Sequence, residues 1–370
     1  MAVRAPRDGS WKEGQGEGER CCVAAESFRL SAVSNPSTMA THLITGGAGF
    51  IGSHLADYLL GRGERVIVID NLSTGRFSNI EHLEGRSGFE CVIDDVRNEH
   101  LLDELIRRAD RVFHLAASVG VRLIIERQTE SLINNILGTE RVLRSASRYR
   151  KSVLITSTSE VYGKSQKPVF SESDDRIMGP TDKARWGYAS SKATDEFLAL
   201  AHYQESKLPV VVVRLFNTVG PRQTGRYGMV IPNFVAQALK AQPLSVFGDG
   251  TQTRCFAHVH DVVPALVELM NRPAAYGKVF NIGSNEEISI NQLAERVIQK
   301  AGSNSAITYV PYEAAYPPGF EDMERRVPDL RRIGDVIGYR PRKTLDDILA
   351  DVVEEQRRHL QAEPNAGAAG

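Results

Sequence analysis

The sequence predicts an α/β protein built on a doubly wound parallel sheet, with a smaller mixed α/β lobe attached. Three observations carry that expectation. From His42 onward, short apolar runs alternate with stretches of helical period. The runs are apolar throughout instead of at every second residue, as in strands buried on both faces. A glycine-rich turn, "TGGAGFIG" at Thr45–Gly52, joins the first run to the first helical stretch.

The elements follow in order. "HLITGG" reads as a strand and "FIGSHLADYLLGRG" as a helix ending in glycine. "RVIVID" and "FECVIDD" are the second and third strands, "HLLDELIRRAD" a helix, and "RVFHLAA" the fourth strand. A long helix is expected over roughly Thr129 to Tyr149. "SVLITSTSEVYG" is a fifth strand running into a loop, followed by a helix from near Tyr188 and then "PVVVVRLFNTVG". After Gly220 short strands ("LSVFGDG", "KVFNIGS") mix with helices such as "INQLAERVIQKAG". This gives a main domain over 39–220 and a lobe over 221–361, with some of the lobe's segments returning to the main sheet. The Gly-, Glu- and Arg-rich stretch 1–38 and the tail 362–370 are expected to be disordered.

Composition excludes several classes. The chain has 370 residues, 42% hydrophobic and 25% charged, with a formal net charge of −1. No global field recruits nucleic acid or an anionic membrane. No apolar run reaches the ~18 residues of a membrane span. Cys21, Cys22, Cys91 and Cys255 form neither a disulfide framework nor a metal-ligand pattern, so reduced thiols in a cytoplasmic protein are expected. His258 and His260, in "FAHVHD", read as structural residues of a strand, and no metal is expected.

The glycines stand as Gly46-x-x-Gly49-x-x-Gly52. Gly46 permits the tight turn, Gly49 lets backbone approach a pyrophosphate, and Gly52 permits close packing of the helix. The helix start, at Phe50 and Ile51, offers free N–H groups and a favourable dipole. The second strand ends in Asp70-Asn71, with Asp70 placed 18 residues beyond Gly52 to bind ribose hydroxyls. A carboxylate there repels a 2′-phosphate, so NAD is the expected cofactor of a Rossmann-type domain. Asp95 and Val96, at the end of the third strand, are expected to hold adenine.

"YASSK" places Tyr188 and Lys192 one helical turn apart. A free tyrosine titrates near ~10; a lysine cation and a positive nicotinamide both favour its phenolate. Tyr188 then removes a hydroxyl proton while hydride leaves the same carbon. Thr158 or Ser159, in "STSEVYG", is placed to hydrogen-bond that hydroxyl.

"TGGAGFIGSHL", "STSEVYG", "YASSK", "RLFNTVGPR" and "GDGTQTRCFAHVHD" together resemble the extended short-chain dehydrogenases/reductases, specifically the nucleotide-sugar epimerases, dehydratases and decarboxylases, over roughly Thr41 to Gln361. The resemblance implies bound NAD and oxidation at sugar C4. It implies that Thr158, Tyr188 and Lys192 are hydroxyl binder, base and helper lysine. It also implies that Asn217, Arg254 and Arg326 contact the nucleotide diphosphate, a task that suits the guanidinium fork. The family often pairs its long helices, here 129–149 and 188–205, across a homodimer.

The reaction turns on Thr158-Ser159-Glu160. Simple UDP-hexose 4-epimerases usually carry small or neutral residues at the positions of Ser159 and Glu160. The dTDP-glucose dehydratases carry an Asp–Glu pair, and Ser159 departs from it. UDP-glucuronate decarboxylases show Thr-Ser-Glu, and "GPTDKARWGYASSK" is similar to the decarboxylase domain of the bacterial lipid A aminoarabinose pathway. "RQTGRYGMVIPNF" and "PPGFEDMERRVPDL" are equally compatible with an epimerase. The expectation is therefore a UDP-sugar enzyme working through a 4-keto intermediate, with decarboxylation of UDP-glucuronate first. A 4-epimerase comes second, a 4,6-dehydratase third and a non-catalytic NAD-binding regulator last.

Overall fold

The computed structural model describes residues 39–120, 124, 126–226, 228–315, 323 and 325–366. The expected extension over 1–38 lies outside them, as do residues 367–370. The last helix, Leu345–Ala366, carries helical backbone past Gln361 into the expected tail.

In chain order the strands are β1 (Thr41–Thr45), β2 (Arg65–Asp70), β3 (Phe89–Ile93), β4 (Arg111–His114), β5 (Ser152–Thr158) and β6 (Val210–Leu215). There follow β7 (Thr218–Val219), β8 (Leu244–Phe247), β9 (Thr253–Cys255), β10 (Ala257–His258), β11 (Lys278–Ile282), β12 (Glu287–Ser289) and β13 (Ile307–Val310). The main sheet has seven strands in the order β11-β6-β5-β4-β1-β2-β3, all parallel. The chain starts at β1 and winds outward in both directions. The order thus reverses between β1 and β4, where Thr45 pairs with His114. Such a reversal opens a crevice at the carboxyl ends of the strands.

The apolar runs have the expected two-sided burial. Ile44, Val68, Phe113, Leu154 and Val213 enter one core with helices Phe50–Gly61 and Val259–Met270. Their neighbours Leu43, Ile69, Val112, Val153 and Val212 enter the other with helices Glu99–Arg108, Gln128–Tyr149 and Ala184–Ser206. Each fully buried side chain of this size contributes about 1.5–3 kcal/mol. Helix Ala184–Ser206 begins one turn before Tyr188, because Arg185 and Trp186 already face inward.

The lobe has its own core. Leu244 and Val246 of β8 pack with Phe234, Leu293, Val297, Ile348 and Leu349 of three helices. Helix Ile290–Ala301 starts at a capping box, with the Ser289 and Gln292 side chains each bonded to the other's backbone. Small two-stranded pairs, β7–β10, β9–β12 and β8–β13, join this lobe together. "KVFNIGS" is not a lobe strand: β11 forms the edge of the main sheet beside β6.

His258 and His260 do not share a strand. His258 ends β10, while His260 lies in the first turn of helix Val259–Met270. The ring atoms of both come within 4.8 Å of the Asp351 carboxylate. His258 Nδ1 accepts the His260 N–H at 3.0 Å, and its Nε2 meets Asp351 Oδ2 at 3.0 Å. Both His258 nitrogens are thus engaged in capping one helix and tying it to another.

Beneath the crevice lies a buried ion pair. Arg214 of β6 donates to Glu196 through Nε at 2.9 Å and Nη2 at 2.7 Å. Ser157 of β5 donates to the same carboxylate at 2.5 Å. Arg214→Ala leaves the Glu196 carboxylate buried without its cation and is expected to destabilise the fold by about 3–5 kcal/mol. The measurement is a lowered urea midpoint at unchanged slope.

Candidate active site

A cleft of about 770 Å³ runs along the carboxyl ends of the strands, and every site residue singled out in the sequence lines it. At one end lies the glycine turn. Gly46 has φ +72°, and a Cβ there would stand 2.8 Å from the Ala116 backbone nitrogen. A Cβ on Gly52 would drive into the Gly46 carbonyl oxygen, so the close approach is of helix to turn. Gly49 is the N-cap and provides no side-chain cap. The N–H groups of the first turn, at Phe50, Ile51 and Gly52, are therefore left to a ligand in the cleft.

Asp70 is buried at the end of β2. Its Oδ2 accepts the Ala48 N–H at 2.9 Å and its Oδ1 the Leu72 N–H at 2.8 Å. Burial raises its pKa, while the N–H groups of Leu72, Ala48 and Gly49 pull it down. The carboxylate therefore clamps the glycine turn as well as facing the cleft. Asn71 and Asp95 are partners, with Asn71 Nδ2 donating to Asp95 Oδ2 at 2.8 Å. Arg97 grips Asp95 and, with further help from Asn71, brings its pKa down to about 2. Val96 completes this wall. These groups suit an adenosine diphosphate: an anion-ready helix start, acceptors for ribose hydroxyls and a flat side wall.

At the other end, β5 delivers Thr158, and a turn of 3₁₀ helix over Ser159–Tyr162 follows. The Thr158 hydroxyl accepts the Glu160 N–H at 3.3 Å and lies near enough to the Tyr188 phenol to favour its ionisation. Ser159 is 1% exposed. Lys192 is buried one turn after Tyr188, and its Nζ donates to Asp195 at 2.7 Å. Burial pushes the Tyr188 pKa far up. Glu160 and Asp195 push the same way, against smaller opposite effects from Thr158 and Arg326.

The arginines expected at the substrate diphosphate both line the cleft. Arg254 of β9 is buried, with Nη1 donating to the Thr253 carbonyl at 2.7 Å. Asn217 has φ +23° and ties down the same segment, donating from Nδ2 to the Cys255 carbonyl at 2.9 Å. Arg326 approaches Glu160, its Nη1 3.5 Å from Glu160 Oε1. Arg185, which sequence reasoning missed, approaches the same oxygen at 3.7 Å and is 5% exposed. Its signal was present in "ARWGYASSK": a residue three before Tyr188 shares its helix face.

Residues 43–352 match the family model described as GDP-mannose 4,6 dehydratase. The UDP-N-acetyl-alpha-D-glucosaminuronate decarboxylase of Bacillus cytotoxicus is 42% identical over 313 residues, covering 84% of this chain and 96% of that protein. UDP-glucuronic acid decarboxylase 1 of Arabidopsis thaliana is 34% identical, covering 86% of this chain and 70% of that one. Among solved structures, a UDP-glucuronic acid 4-epimerase from Bacillus cereus, in complex with UDP-glucuronic acid and NAD, is similar at a TM-score of 0.78 and 29% identity, covering 86% of this chain and 99% of that one. Fold, cleft and family match agree: the chain belongs to the GDP-mannose 4,6 dehydratase family of extended short-chain dehydrogenases/reductases.

Proposed function

We propose that this enzyme is an NAD-dependent decarboxylase of a UDP-hexuronate, working through a 4-keto sugar. UDP-glucuronate is the substrate expected from the sequence, and its 2-acetamido counterpart is named by the 42%-identical relative. The observation that carries the reading is the Glu160 carboxylate between buried Arg185 and Arg326, beside Tyr188. Two guanidinium groups at the sugar end provide for an anionic sugar, which a neutral hexose does not require. The family's name describes a dehydration, but Ser159 stands where the dTDP-glucose dehydratases carry an acid.

Gly46, Gly49, Phe50, Ile51 and Gly52 are assigned to the cofactor diphosphate. Asp70 and Asn71 are assigned to the adenosine ribose, Asp95 and Val96 to the adenine, and Tyr188 and Lys192 to the nicotinamide end. NAD, when bound, supplies the hydride acceptor for C4 and a positive charge that favours the Tyr188 phenolate. Tyr188 takes the C4 hydroxyl proton, with Thr158 orienting that hydroxyl. Arg185 and Arg326 hold the C6 carboxylate, which lies β to the new ketone. The C5–C6 bond then breaks, carbon dioxide leaves, and the electron pair forms an enolate. Glu160 and Ser159 place the sugar and relay to C5 a proton drawn from solvent. Tyr188 returns its proton to the C4 oxygen as the ketone is reduced. Asn217 and Arg254 are assigned to the substrate diphosphate.

A UDP-hexuronate 4-epimerase is the second reading, supported by the similarity to the Bacillus cereus enzyme. It shares the oxidation and differs in keeping C6. A cytoplasmic homodimer is part of the proposal. Its support is the exposed apolar side chains Ile133, Leu137 and Phe197 on helices Gln128–Tyr149 and Ala184–Ser206.

Three outcomes test these assignments. Incubation with UDP-glucuronate, UDP-N-acetylglucosaminuronate, UDP-glucose and GDP-mannose, followed by NMR, is expected to show a UDP-pentose and carbon dioxide from a uronate. A C4-epimeric uronate in its place establishes the second reading. Tyr188→Phe is expected to lose about 10²–10⁴-fold in kcat while retaining NAD, measured by initial rates and cofactor content. Gly52→Ala forces the helix start off the Gly46 carbonyl, an overpacking worth about 1–3 kcal/mol. Its expected result is loss of bound NAD on purification, read from released nucleotide.

A further inference from the structure

The sequence gives Lys192 one task, towards Tyr188. Its closest recorded polar contact points elsewhere. Lys192 and Asp195 lie one turn apart on helix Ala184–Ser206, and Nζ meets Asp195 Oδ2 at 2.7 Å with side chains 3% and 0% exposed. Among the described residues, Asp195 Oδ1 has no donor in full hydrogen-bond geometry. The Thr139 hydroxyl, from helix Gln128–Tyr149, lies near enough to stabilise the charge. Thr139 in turn meets His114 Nε2 at 3.1 Å, and His114 Nδ1 meets the Thr45 hydroxyl at 2.8 Å. A buried polar chain therefore runs from Lys192 to the turn that enters the glycine loop.

A fully buried carboxylate with one unbonded oxygen is unfavourable unless its charge is used. We infer that Asp195 is a positioning residue whose carboxylate anchors the Lys192 ammonium from beneath and offsets part of its charge, thereby setting how readily Tyr188 ionises. The inference rests on the reading of Tyr188 as the base. The groups facing this pair come from every side. Glu160 after β5 and Asp195 oppose the phenolate, while Thr158 of β5 and Arg326 favour it. Burial opposes the Asp195 charge and raises its pKa, Glu196 on the same helix adds to that, and Lys192 and Thr139 support the charge. His114 of β4 is held neutral by burial and by Lys192, its pKa lowered to about 3. Glu196 is itself neutralised by Arg214 of β6. Asp195 is thus the negative charge in direct contact with the lysine.

Asp195→Asn keeps the shape and removes the charge. In the NAD-loaded enzyme, ultraviolet difference titration against Tyr188→Phe is expected to place the Tyr188 ionisation about one pH unit lower than in the parent. The acid limb of kcat/KM is expected to move by the same amount. Asp195→Glu, which keeps the charge, is expected to return both towards the parent. Asp195→Ser carries the same expectation as Asp195→Asn should the asparagine variant fail to fold. An unshifted ionisation in a neutral variant that melts like the parent overturns the inference and leaves Asp195 a structural ion-pair partner. Equal shifts in Asp195→Asn and Asp195→Glu overturn it as well, because packing and not charge is then the cause. A parent with no Tyr188-dependent signal and no turnover of any nucleotide sugar fails the base assignment itself, and this inference with it.

Discussion

The bidentate pair between Glu196 and Arg214 fixes the geometry on which the site depends. Glu196 lies two turns beyond Tyr188 on the same helix, and Arg214 belongs to the strand beneath. With Ser157 bound to the same carboxylate, the helix is locked to two adjacent strands at once. Rotation or sliding of the helix by one residue breaks all three buried hydrogen bonds. Tyr188 and Lys192 therefore inherit their positions over Thr158 from an interaction made below the cleft. Arg214 extends the lock, its guanidinium standing over the Tyr162 ring at 4.7 Å. Tyr162 donates to Asn281 of β11 at 2.7 Å, so the edge strand is coupled to the same assembly.

Much of this was legible in the sequence because it is local. Strands buried on both faces leave apolar runs, and amphipathic helices leave a 3.6-residue period. The glycine turn and the Tyr188–Lys192 pair are short-range patterns whose spacing carries their geometry. What escaped depends on distant segments meeting. Glu160, Arg185 and Arg326 belong to a turn, a helix and an extended segment, and no periodicity links them. The approach of Arg326 to the Glu160 carboxylate is of this kind. The pairing of β11 with β6 is similarly non-local, since a five-residue apolar run has the same appearance in either domain. His258 and His260 straddle the junction of a two-residue strand with a helix, a boundary that alternation alone does not reveal.

Each end of the cleft pairs a carboxylate with guanidinium groups, Asp95 with Arg97 at one and Glu160 with Arg185 and Arg326 at the other. Asp70 stands at the end by the glycine turn and is buried. Asp70 serves two purposes with one side chain. Because it accepts the Ala48 and Leu72 N–H groups, it shapes the turn that it also helps to present. Replacing it to admit a 2′-phosphate removes an acceptor from two backbone donors. Loop integrity therefore depends on Asp70 whatever ligand the turn holds.

The return of β11 to the main sheet bears on how the polypeptide matures on the ribosome. Until Lys278–Ile282 has emerged, β6 is an unprotected border whose residues Val210–Arg214 are buried in the finished protein. An open apolar border of that kind invites pairing with a neighbouring nascent chain. Completion of the nucleotide fold must therefore wait for roughly sixty residues of intervening lobe, as the distance from Leu215 to Lys278 sets. The two halves are one folding unit, despite the apparent boundary in the sequence pattern near Gly220.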